Sequence, residues 1–184
     1  MHDSIERSMN VPSDTTPLPT RVALLVVLAM TAATVGMLLL GSIDAAQPAA
    51  IAPILWLLTG LFVLRVAGQV LVALNPREWL PPMWQWNLIP YPILLPIQIV
   101  FIVVMVWINM TFTTATGIAA TKNSDSGNFL IVFSVVYALV MAIRYVVRMR
   151  RRPEQRWFGG TIPIVFHFVL ASYMYTLGCF YVTP

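Results

Sequence analysis

The sequence predicts an all-α integral membrane protein, a bundle of about five transmembrane helices, and three observations carry that prediction. Hydrophobic residues make up 59% of the 184-residue chain and charged residues only 10%, whereas roughly a quarter of the residues in a soluble domain are charged. Mean hydropathy is +0.80. Apolar runs of about 20 residues, each long enough to cross the hydrocarbon core as a helix, recur along the chain. At that depth lipid offers a backbone amide no partner, so helix is the conformation that satisfies every amide internally.

The chain divides into a polar N-terminal tail, 1–20, and a single transmembrane domain, 21–184. The tail carries Pro12, Pro17 and Pro19 and too little apolar surface to bury a core, so its composition predicts disorder. The first span, 21–40, is longer than a signal-peptide core and lacks a clear small-residue cleavage site behind it. It is therefore expected to be retained. Ala29, Ala32, Ala33 and Gly36 give it a smooth face that another helix can approach closely. The second span, 54–74, contains Arg65 and Gln69. The third, 92–112, is interrupted by Gln98 and Asn109, the fourth, 129–149, carries Arg144, and the fifth, 162–182, carries His167.

One connection is unusual. Between the second and third spans, Pro76, Pro81, Pro82 and Pro90 deny the chain a continuous helix, while Trp79, Trp84 and Trp86 favour the headgroup boundary. This reads as an aromatic and proline-rich interfacial anchor. The sharper alternative is a partly inserted loop capping a cavity between those spans, because non-helical backbone is tolerated at depth only under protein or beside water.

Charge placement sets the expected orientation. Arg148, Arg150, Arg151, Arg152 and Arg156 join the fourth and fifth spans, and short arginine-rich loops remain cytoplasmic. Five spans then place Arg7, Arg21 and Arg77 on the same side. Of the 11 basic residues, all but Lys122 and Arg65 fall at or next to the cytoplasmic face. The expected topology is N-terminus cytoplasmic and C-terminus outside, in a bacterial inner membrane. The sequence pI near 9.6 does not point to nucleic acid, because the basic run is short and flanks a span, where anionic headgroups attract it.

Reactive constellations are tested residue by residue. A single cysteine, Cys179, excludes an internal disulfide and a paired-cysteine redox motif. His2 and His167 are the only histidines, so bis-histidine haem ligation within the membrane would lack a second ligand from this chain. The sequence has neither clustered histidines nor intramembrane carboxylates for a metal, and no glycine-rich phosphate loop. A non-catalytic protein is expected, with no cofactor or metal from this chain alone; bound lipid is compatible with the sequence.

Polar side chains at membrane depth remain to be explained. At about 1.5 Å rise per residue, Gln69 lies roughly 8 Å and Arg65 roughly 14 Å from the cytoplasmic end of their span. Gln98, Arg144 and His167 come out roughly 8 to 9 Å deep in theirs. Arg65, Gln69, Gln98, Arg144 and His167 therefore form a candidate polar layer, in which Gln69 and Gln98 on consecutive antiparallel spans should hydrogen-bond. All 7 carboxylates fall in tails or loops, so Arg65 has no acid of its own chain at its depth. Arg144 fits a side chain that snorkels along Arg148 to the headgroups. Arg65 tilts toward its helix N-terminus, away from the nearer face, and is expected to face the bundle interior. His167, among Phe166, Phe168 and Tyr173, reads first as a hydrogen-bonded packing residue, and Tyr173, Tyr175 and Tyr181 read as outer-interface and packing aromatics.

Two functions are compatible with these features. The first is an accessory or assembly subunit of a larger membrane complex, with other membrane-protein subunits and lipids as partners. The second is a binding or transport module for an anionic amphiphile or lipid, built on an intramembrane arginine layer.

Overall fold

The computed structural model describes residues 45–74, 91–116, 120–151 and 162–184. They form α1 (Pro48–Leu74), α2 (Tyr91–Thr114), α3 (Ser124–Arg151) and α4 (Ile162–Val182), and no strand occurs among the described residues. All four helices are long and apolar enough to cross a membrane. The tail 1–20, the first span 21–40 and the anchor with Trp79, Trp84 and Trp86 lie outside the described residues, as does the basic connection after Arg151.

Helix ends depart from the apolar runs wherever local chemistry prolongs the helix. α3 starts at Ser124 instead of 129, because Asn123 caps it: the Ser126 amide donates to Asn123 Oδ1 at 3.1 Å and the Gly127 amide to Asn123 O at 2.9 Å. Asp125 in the first turn complements the positive end of the helix dipole. α1 begins at Pro48, not 54, since proline at the first helical position loses no hydrogen bond and its φ is already helical. Pro53 in α1 and Pro96 in α2 lie inside their helices, a placement that membrane spans accommodate.

The C-terminus of α2 is closed by a Schellman arrangement: Thr116 N donates to Thr111 O at 3.1 Å and Ala115 N to Phe112 O at 3.3 Å. This requires the left-handed region at Ala115, whose φ is 52°. Glycine adopts that conformation without the Cβ penalty. Ala115→Gly should stabilise the detergent-solubilised protein by about 0.5 to 1 kcal/mol, read as a higher midpoint in thermal or denaturant unfolding.

α1 packs against both α2 and α4, and α4 packs against α3. Matching contacts give the directions. Thr59 faces Asn109 and Gln69 faces Gln98, so α1 and α2 are antiparallel; Tyr137 faces His167 and Gly127 faces Gly178, so α3 and α4 are antiparallel. One end of the bundle gathers the start of α1, the end of α2, the start of α3 and the end of α4. There Lys122 Nζ donates to Thr183 O at 2.7 Å and Pro184 O at 2.9 Å.

The core lies between α1, α2 and α4. Ile51, Leu55, Leu58, Phe62 and Val66 form the buried stripe of α1 and meet Met105 and Phe112 of α2 and Val169, Leu177 and Phe180 of α4. Phe112 and Phe180 pack edge to face with centroids 4.8 Å apart. α3 is the outermost of the described helices: Phe129, Val132, Val136, Leu139 and Ile143 are all exposed. Lipid is as apolar as leucine, so such a face carries no penalty in a bilayer.

Polar groups tie the core together. Asn109 Nδ2 donates to Thr59 Oγ1 at 2.8 Å, and the Tyr173 hydroxyl donates to Asn109 Oδ1 at 2.9 Å and to Met105 O at 3.2 Å. Thr59, Asn109 and Tyr173 are all buried, so this network joins three helices away from lipid. Tyr173 is thus a packing aromatic of the core.

Candidate functional site

Two polar seams meet on α1. On the α2 side, Gln98 Nε2 donates to Gln69 Oε1 at 2.9 Å with both residues fully buried, which is the contact that depth matching on antiparallel spans predicts. Two amides back to back can satisfy only some of their atoms, and Gln98 Oε1 is buried without a hydrogen-bond partner among the described residues.

On the α4 side, Arg65 lies one turn before Gln69 and turns toward Phe166, its guanidinium carbon 5.5 Å from the ring centroid. A guanidinium over an aromatic face gains from the ring quadrupole, about 2 kcal/mol when desolvated. Arg65 as a residue is half-buried, yet its Nε is fully buried and has no hydrogen-bond partner among the described residues. A cation over a ring is only partly compensated, because the ring accepts no strong N–H bond.

Next to Phe166, the His167 ring nitrogen Nδ1 is 2.5 Å from the Tyr137 hydroxyl of α3. The two rings meet edge to face, centroids 5.7 Å apart, and Tyr137 itself stacks on Phe133 at 6.0 Å. The charges of Arg65 and Arg144 both act on Tyr137 and on His167. Three helices therefore contribute to one cluster: Arg65 from α1, Tyr137 and Arg144 from α3, and Phe166 and His167 from α4.

The layer expected at one common height is in fact stepped. Tyr137 faces His167, so Arg144, seven residues later, lies about 10 Å nearer the end of the bundle where α3 terminates. Counting depth from apolar runs assumed that all spans start in one plane, whereas α3 continues beyond the start of α4 as far as Arg151. Arg144 is exposed.

Of the sequence-derived candidates, the structure thus joins Gln69 with Gln98 and sets His167 against Tyr137, with Arg65 on the neighbouring Phe166 ring and the charge of Arg144 acting from about 10 Å along α3. Trp79, Trp84 and Trp86 lie outside the described residues. Tyr137 was missed by sequence reasoning. Its signal was available in the spacing, because Tyr137, Met141, Arg144 and Arg148 recur at i, i+4, i+7 and i+11 and share one face of a helix.

Electrostatically the cluster is cationic and lacks an acid. Among the described residues the only side-chain carboxylate is Asp125, in the first turn of α3 at the opposite end of the bundle. No group of three or more His, Cys, Asp or Glu side chains that could hold a metal ion occurs among the described residues. The arrangement offers fork-shaped donors and a hydroxyl, groups suited to holding an oxyanion. No protein-family model matches the chain, and neither a curated protein nor a solved structure matches it.

Proposed function

We propose that this chain is a non-catalytic integral membrane protein, an accessory or assembly subunit of a larger membrane complex, and that the Arg65 cluster is where it engages a group from outside itself. The observation that carries the reading is the buried Arg65 Nε without a hydrogen-bond partner among the described residues, in a cluster that also feels the charge of Arg144 and lies at the other end of the bundle from Asp125. Ionisable residues in spans face bundle interiors or wet cavities and mark functional contacts. The placement of basic residues supports a cytoplasmic N-terminus and an outward C-terminus across five spans, the first of them 21–40.

A second reading has its own support. The charges of Arg65 and Arg144 both act on the Tyr137–His167 pair, and arginine forks suit the oxyanion of an amphiphile's headgroup.

Arg65→Leu separates a functional arginine from a tolerated one. Insertion should be unharmed, since removing a charge from a span makes insertion easier. Extraction in a mild detergent, followed by quantification of co-purifying chains and lipids, should show lower recovery of at least one of them. Unchanged recovery of every partner chain and lipid would remove the site from the account.

A further inference from the structure

We infer that Arg65 of α1 and Tyr137 and Arg144 of α3, set around the start of α4, hold the phosphate headgroup of an anionic membrane amphiphile. This rests on the reading of Arg65 given above and narrows what satisfies it.

Arg65 lies over Phe166, next to His167, 5.5 Å from the ring centroid, and Arg144 stands about 10 Å further along α3 than Tyr137, with both charges acting on the Tyr137–His167 pair. Phosphate presents several oxygens to donors arriving from different directions, and arginine forks match that geometry. Tyr137 adds a hydroxyl that can turn from His167 Nδ1 to a ligand oxygen without moving its ring.

Arg144 is exposed on α3, and Val140, Ile143 and Val147, which flank it on the helix surface, are exposed too. A ligand there needs an apolar body against α3 and a charged head at the arginines, which is the chemistry of an amphiphile. A free anion would leave that apolar surface unused.

Arg148 stands one turn beyond Arg144 toward the end of α3, so Arg148, Arg144 and Arg65 step inward from the headgroup zone. Such a series lets a headgroup stay paired at each depth, because the cost of a charge in hydrocarbon falls when it is held by an opposite charge.

The test uses the full chain in nanodiscs of phosphatidylcholine, with or without phosphatidylglycerol, released into native mass spectrometry to count retained lipids. Wild type should retain phosphatidylglycerol selectively. Arg65→Gln and Arg144→Gln should each lower that retention about tenfold, the loss of a charged hydrogen bond, and Tyr137→Phe should lower it about threefold, the loss of a neutral one. Arg65→Lys should fall between wild type and Arg65→Gln, because it keeps the charge and loses the fork. Lys122→Gln, at the opposite end of the bundle, should leave retention unchanged. A monodisperse, fully helical preparation of each variant keeps misfolding out of the comparison.

Equal retention of the two lipids by wild type would overturn the inference, as would unchanged retention in both arginine variants. Displacement of phosphatidylglycerol by millimolar inorganic phosphate would overturn the lipid as the source of the oxyanion. If Arg65→Leu lowers recovery of a partner chain while lipid retention stays intact, the headgroup inference falls and the Arg65 site stands. If neither changes, both fall together.

Discussion

Gly178→Leu is expected to separate α3 from α4, the largest effect of any single change in the bundle. A Cβ at Gly178 would lie 2.7 Å from Ile131 Cγ1, 3.0 Å from Gly127 O and 3.1 Å from Ile131 N. Two of those three atoms are backbone, which cannot rotate away. Across the contact, a Cβ at Gly127 would meet Val182 Cγ1 at 2.7 Å, Tyr181 Cβ at 2.8 Å and Gly178 O at 3.0 Å, so the crossing is tight from both sides. Close approach of small residues is what dispersion between membrane helices depends on, since no hydrophobic force acts between them in lipid. Overpacking of this kind costs about 3 kcal/mol. It should also pull Tyr137 away from His167, because α3 is held to the bundle through α4. Gly60→Ala is the matched control: nothing lies within 4 Å of the added Cβ, and replacing a mid-helix glycine should be neutral or stabilising by up to about 1 kcal/mol. Unfolding curves in detergent would give both values, and similar losses in the two variants would contradict the packing described.

Asn109→Leu should have the second largest effect, through hydrogen bonding instead of volume. It removes the donor to Thr59 Oγ1 and the acceptor for Tyr173, while Tyr173 keeps its 3.2 Å bond to Met105 O. Interhelical hydrogen bonds in membranes contribute about 0.6 to 2 kcal/mol each, so a loss of about 1 to 3 kcal/mol is expected. The double variant with Thr59→Val should lose less than the sum of the two single changes, because both remove the same bond. Strict additivity would show that Asn109 and Thr59 do not interact in the folded bundle.

These two changes probe what the sequence conveyed least. Helical spans were legible, since apolar runs at 54–74, 92–112, 129–149 and 162–182 have no other way to satisfy their amides. Their ends were not, because Asn123 and Pro48 prolong helices through capping chemistry that hydropathy ignores. The Gln69–Gln98 bond was readable from depth alone, consecutive spans being antiparallel. Which helices touch was not readable: a membrane helix is apolar all round and shows no stripe that marks its buried side. The central position of α4, and with it the meeting of Tyr137 with His167 beside Arg65, follows from that hidden adjacency.

The central claim is that Arg65 turns inward against α4. Carbon-13 correlation spectroscopy on the protein in bilayers, labelled at arginine and phenylalanine, addresses it directly. The account predicts a cross-peak between an arginine Cζ and phenylalanine ring carbons that disappears both in Arg65→Gln and in Phe166→Leu, reporting the 5.5 Å approach of the guanidinium to that ring. An Arg65 signal without that cross-peak, correlated instead with bulk water, would place the side chain outside the bundle and contradict the account.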